Sequence, residues 1–193
     1  MAATVDVVEG NGAGPTWTVI TAARYCNADN YNPGTSTPVV VPAATGYSWW
    51  KTHALKITAG GYTQITNLRF FTDGTITWTL GTGGMVKLAQ KSTADKGVPA
   101  ANYDQATGSS TTGDYFDDAT LGHTFYKSGS ANYSAPVNIT TYTTGSPMQV
   151  DNTTVYSGAV SATYGVVHQI LIASDATQGT QAAETFTFRW DEI

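Results

Sequence analysis

Three carboxylates crowd into one short run, Gly113-Asp-Tyr-Phe-Asp-Asp118, and hard oxygen ligands at that density are what a Ca²⁺ ion takes. The run lacks the ligand spacing and closing glutamate of an EF-hand loop, so Asp114, Asp117 and Asp118 read first as a solvated acidic loop and second as a cation site. The same carboxylates would suit a glycosidase only if two of them converged across a cleft, which proximity in sequence does not show. His53, His123 and His168 lie far apart and outside any HExxH or HxH pattern, which speaks against a metal or catalytic role. His168 sits within an apolar run and reads as a core histidine with a hydrogen-bond partner. Cys26 has Arg24 as its one basic neighbour and no catalytic signature, so it reads as a buried or semi-buried structural thiol.

Two glycine-rich stretches imitate phosphate loops. Gly10-Asn-Gly-Ala-Gly14 is followed by Pro15 and the β-type run Thr16–Ala22, so no helix N-terminus is available to hold an anion and a hairpin turn is expected. Gly81-Thr-Gly-Gly84 has no following Lys-Ser/Thr and reads as a connection between strands. The aromatic residues Trp49, Trp50, Phe70, Phe71 and Trp78 leave two possibilities open. Adjacent aromatics on a strand point to opposite faces, so one of each pair could serve an interface or stack on a sugar, unless both faces are covered in a two-sheet sandwich.

What positions these residues must be β structure. The final segment, Glu184-Thr-Phe-Thr-Phe-Arg-Trp-Asp-Glu-Ile193, alternates Phe186, Phe188 and Trp190 with Thr185, Thr187 and Arg189, the pattern of a half-buried strand. It is expected to lock into a sheet, with no targeting helix, tail or anchor after it. Period-2 runs recur at Thr4–Glu9, Thr16–Ala22, Trp49–Thr58, Tyr62–Phe71, Thr75–Leu80 and Met85–Ala89. Further strands are expected at Val137–Tyr142, Met148–Asp151, Thr153–Tyr156, Ala159–Ala173 and Glu184–Asp191. Turns at Ala59-Gly60-Gly61 and Asp73-Gly74 predict a three-stranded meander over Trp49–Leu80. Tyr164–Ala173 is apolar on both faces and should be a central strand. Two segments lack strand character, 26–44 and 91–122, and loops of such length are usually functional or disordered, so partner contacts are expected there.

The 193-residue length fits one domain spanning 1–193, an antiparallel β-sandwich with two long loops and little helix. Charged residues make up only 12%, about half the share usual for soluble proteins, and threonine supplies the neutral polar cover. A net charge of −5 and a pI near 4.9, with no Lys/Arg cluster, argue against binding nucleic acid or an anionic membrane. One cysteine excludes an intrachain disulfide, and the start Met1-Ala-Ala-Thr-Val-Asp-Val-Val lacks secretory character, so folding in a reducing cytoplasm is expected.

Low charge, Thr/Gly-rich strands and an empty catalytic inventory, together with Gly14-Pro-Thr-Trp17, Arg24-Tyr-Cys26, Tyr31-Asn-Pro-Gly34, the run from Ile65 to Gly74 and Ser174-Asp-Ala-Thr-Gln-Gly179, give a chain that resembles virion structural proteins of tailed phages. The resemblance implies a jelly-roll or Ig-like sandwich that decorates and cements the head shell. Its implied partners are the major capsid protein or other virion proteins, with self-association into a trimer or larger array, in a virion assembled in the host cytoplasm. It implies no cofactor, no catalytic residue and no enzymatic activity. Two alternatives remain: a carbohydrate-binding sandwich stacking sugar on Trp49 or Trp50, and a tail tube or neck subunit.

Overall fold

Ten strands, each paired with its neighbours antiparallel, build two sheets in the computed structural model, which describes residues 2–58 and 60–193. In chain order they are β1 (Thr4–Asn11), β2 (Thr16–Val19), β3 (Gly46–Tyr47), β4 (Lys51–Thr58) and β5 (Ile65–Thr72). They continue as β6 (Met85–Lys91), β7 (Tyr133–Asn138), β8 (Met148–Asp151), β9 (Gly165–Ile172) and β10 (Phe186–Glu192). The large sheet runs β2-β1-β4-β9-β6-β7, with β3 also paired to β9, and the small sheet runs β10-β5-β8. Helix is limited among the described residues to two single 3₁₀ turns, Ala100–Asn102 and Ile139–Thr141. The fold is therefore an all-β sandwich, as the composition and periodicity require.

The core follows from strand alternation. Val5 and Val7 of β1, Leu55 and Ile57 of β4, Val166, Ile170 and Ile172 of β9, and Val86 and Leu88 of β6 share one face of the large sheet by register. They pack with Leu68 and Phe70 of β5 and Met148 and Val150 of β8 from the small sheet. β9 is central and buried along nearly its whole length, as its two apolar faces predict. β10 forms an edge of the small sheet, with Phe186, Phe188 and Trp190 packed on the core and Arg189 lying 5.4 Å over the Phe71 ring on the other side.

The opposite face of the large sheet is covered by the segment 92–132. This stretch is almost free of regular structure, yet Val98, Ala106, Phe116 and Tyr126 are buried against Trp50, Ala89 and Val167. It is stitched down by backbone bonds such as Val98 N to Gly165 O and Gly113 N to Tyr47 O. The long loop expected at 91–122 is thus largely a packed third layer, with apolar anchors too far apart to show any period.

The meander expected over Trp49–Leu80 does not form. β4 and β5 lie in different sheets, so their connection crosses the sandwich; Ala59, expected to open that turn, lies outside the described residues. Thr75–Leu80 alternates in exposure like a strand but joins no ladder, because side chains intercept its amides: Thr75 N donates to Asp73, Thr77 N to Glu184 and Thr79 N to Gln181. Thr153–Tyr156 forms only an isolated bridge, Ile65 to Tyr156, since the Asp151 carboxylate takes the amides of Thr153 and Thr154 and bends the chain. Val137–Tyr142 is shifted towards its N-terminal side: β7 ends at Asn138, whose side chain accepts from Thr140 N and starts a 3₁₀ turn. By contrast, Gly10–Gly14 forms the β1–β2 hairpin, with Asn11 opposite Thr16 and Gly12 at φ +85°.

Candidate functional site in the sheet core

The structure gathers ionisable side chains where the sequence showed them scattered. The register sets Glu9 of β1 opposite His53 of β4, and Lys51 of β4 opposite His168 of β9. All four point to the inner face, in phase with Val7, Leu55 and Val166, and none is more than 4% exposed. A loop following β2 closes the end of this cluster with Tyr25, Cys26, Asp29 and Asn30.

Glu9 is the hub. Its Oε1 accepts from Lys51 Nζ at 2.8 Å and from Asn11 Nδ2 at 3.2 Å, while its Oε2 meets His53 Nε2 at 3.0 Å. His53 Nδ1 lies 2.8 Å from His168 Nε2, and His168 Nδ1 lies 2.5 Å from the Tyr25 hydroxyl. The tyrosine hydroxyl can donate to His168, His168 Nε2–H to His53, and His53 Nε2–H to the carboxylate, so one tautomer set satisfies every ring nitrogen. Lys51 gains a second acceptor in the Asn30 carbonyl at 2.7 Å.

Burial and charge set the protonation states. Burial alone would raise the Glu9 pKa, but the His53 hydrogen bond and the Lys51 and His53 charges outweigh it and hold the carboxyl below its ordinary value. Burial, with the charges of His53 and Lys51, drives His168 well below the usual histidine range and keeps it neutral. Burial and the Glu9 charge push the Tyr25 hydroxyl well above its ordinary value. The arrangement is a hydrogen-bonded relay from a phenol through two imidazoles to a carboxylate, with Lys51 Nζ at its far end. Each buried polar group is satisfied by its neighbour in the chain.

The acidic loop is different. Asp114 accepts from Thr107 Oγ1 at 2.7 Å, and Asp118 Oδ1 accepts the amides of Thr120 and Leu121, so each serves its own turn. Asp117 is half-buried, with its pKa raised by burial despite the Tyr133 hydrogen bond and the Lys87 charge. Among the described residues no group of three His, Cys, Asp or Glu side chains is placed to hold a metal ion.

Of the aromatic candidates, Trp50 is 3% and Phe70 1% exposed, each inside one of the two apolar clusters, so neither has a ring face free for a ligand. Trp49 and Phe71 keep partial exposure, and the Trp49 indole donates to the Ser109 carbonyl. Cys26 is buried, with its Sγ 3.2 Å from the Ala28 carbonyl.

Glu9, Lys51 and Tyr25 were not candidates from sequence. Tyr25 lies in a loop and has no phase, but the signal for the other two was present: Glu9 continues the inward series Val5, Val7, and Lys51 and His53 continue Leu55 and Ile57. Charged residues in phase with a core face must be paired or neutralised. Compared with protein-family models, curated proteins and solved structures, the chain matches none.

Proposed function

We propose that this chain is a non-enzymatic structural subunit of a tailed-phage virion that decorates the head shell and bridges neighbouring capsid subunits through its loops. The observation that carries the reading is that the one gathered cluster of ionisable side chains lies beneath the surface. Glu9, Lys51, His53 and His168 are consumed by one another beneath the surface, and the acidic loop spends Asp114 and Asp118 on its own turns. The outer surface carries Thr, Gly, Ser and Asn loops, scattered charges such as Arg24, Asp73 and Asp175, and isolated apolar side chains, among them Tyr31, Val40, Leu121 and Val155. Such a surface favours many shape-matched contacts that salt screens weakly, and symmetric self-association would multiply them. The packed 92–132 layer supports the same role, since a loop already ordered loses little entropy on docking.

The test is proteomics and imaging of purified particles from cells expressing the chain. The expected result is recovery in a fixed ratio to the major capsid protein, with density on the shell exterior. Absence from every particle overturns the proposal, and density confined to the tail or neck moves the chain to that part of the virion.

A further inference from the structure

Lys51 and Asn11 meet at one carboxylate between β1 and β4. Each stands two residues beyond the last paired positions of that ladder, Glu9 and His53, and so keeps their inward phase. Both side-chain nitrogens rest on a single oxygen, Glu9 Oε1, at 2.8 Å for Lys51 Nζ and 3.2 Å for Asn11 Nδ2. Lys51 and Glu9 side chains are 1% and 0% exposed, so water does not compete for either. The Asn11 Nδ2 also donates to Asp29 at 2.7 Å, while its Oδ1 is buried with no partner among the described residues.

We infer that Lys51 and Asn11 form an intramolecular isopeptide bond, with Glu9 as the proton carrier. The chemistry needs a desolvated amine, a carboxamide held beside it, and one carboxylate that can take a proton from the nucleophile and return it to the leaving nitrogen. Glu9 Oε1 touches both nitrogens, which is the geometry that exchange requires. The Lys51 ammonium gives a proton to Glu9, and the freed amine attacks Asn11 Cγ, forming the Nζ–Cγ bond. Glu9 then protonates Nδ2, the Cγ–Nδ2 bond breaks, and ammonia departs. The proton shed by the new amide stays on Glu9, which ends as a neutral carboxyl once its cationic partner is gone. Atoms and charge balance, and no oxidant or cofactor is consumed.

Two physical effects favour the product. The reactants are held in one fold, which replaces a bimolecular encounter by a fixed geometry. The buried ammonium and carboxylate become a neutral amide and a neutral carboxyl, removing two charges whose desolvation is costly. A competing reaction is cyclisation of Asn11 onto the main-chain amide of Gly12, which also releases ammonia; that amide is tied to Asp29 Oδ2 at 2.6 Å.

Intact-mass and tryptic-peptide mass spectrometry of the purified chain tests the inference. The expected mass falls short of the sequence by one ammonia, trypsin fails to cut after Lys51, and residues 1–24 are recovered joined to residues 25–56. Asn11→Ala and Glu9→Gln should each restore the unlinked peptides and the uncorrected mass. A full-length mass with Asn11 and Lys51 in separate peptides overturns the proposal outright, whatever the variants do. An ammonia loss that persists in Lys51→Arg assigns the reaction to Gly12 and overturns it as well.

Discussion

The two faces of the large sheet bury histidine in opposite ways. On the inner face His53 and His168 have all four ring nitrogens partnered, by Glu9, by each other and by Tyr25. On the outer face His123 is as deeply buried, between Trp50 and Tyr126, with Nδ1 accepting from Phe125 N and Nε2 meeting no partner among the described residues. The inner cluster is positioned by ladders, where register repeats side-chain positions and lets polar groups meet across three strands. The outer one is positioned by an irregular layer that supplies apolar cover readily and matched polar groups less readily. Regular structure is thus what allows this chain to bury charge.

The largest break in that comparison is Glu9→Ala. Measured against Asn11→Ala, in which the Lys51 ammonium persists, it strips Lys51 and His53 of their shared acceptor, and leaving one member of a buried ion pair uncompensated costs about 3–5 kcal/mol. Urea unfolding at neutral pH should show that loss as a lower midpoint with an unchanged slope. An effect below about 1 kcal/mol would mean that water reaches Lys51 and that the cluster is a surface feature.

Acid should separate the faces next. Burial lowers the His123 pKa to about 4, against the opposing pull of the Asp104 charge, and burial with the charges of His53 and Lys51 holds His168 well below the usual histidine range. Because the unfolded chain takes up these protons near pH 6.5 and the folded chain does not, stability is whole above about pH 6.5 and falls as pH drops below it. For His123 alone the loss at pH 5 is about 2 kcal/mol, read as a fall in Tm between neutral and mildly acid buffer. Glu9 and Asp151, both held below their ordinary values, add a second loss in the carboxylate range. Stability that stayed flat from pH 7 to 5 would show that the histidines are hydrated in solution.

Much of this frame was legible beforehand, and the rest was hidden for identifiable reasons. Tyr164–Ala173 announced a central strand because both its faces are apolar, and Phe186, Phe188 and Trp190 announced a core-facing one. The Thr75–Leu80 run carried the same alternation and still failed as a strand, since Glu184 and Gln181, more than a hundred residues away, take its amides. Val98, Ala106, Phe116 and Tyr126 have no period to detect, so the third layer could not be read from spacing. His168 was recognisable as a core histidine, but its partners His53 and Tyr25 depend on register across strands distant in sequence.

Tyr25→Phe sharpens the inner side with a smaller effect. It removes only the hydroxyl that faces His168 Nδ1, leaving one buried acceptor unpaired at a cost of about 1–3 kcal/mol. The ring still packs edge-on against Trp78 at 5.7 Å, so the loss should report the relay and not the cover. The imidazole signals of His53 and His168 in an NMR spectrum should shift in this variant while those of His123 stay in place.

His123→Leu should have the smallest effect of all. It deletes the unpartnered Nε2 while removing the acceptor of Phe125 N, two changes of opposite sign that leave a net of less than about 1 kcal/mol. His168→Leu, by the same exchange of imidazole for an apolar side chain, takes partners from both His53 and Tyr25 and should cost several times more. The His123→Leu chain should also lose its share of the acid sensitivity, which separates removal of a titrating group from mere repacking. Equal costs for the two substitutions would mean that a buried water bonds His123 Nε2, and the contrast between ladder and irregular layer would then rest on hydration instead of side-chain placement.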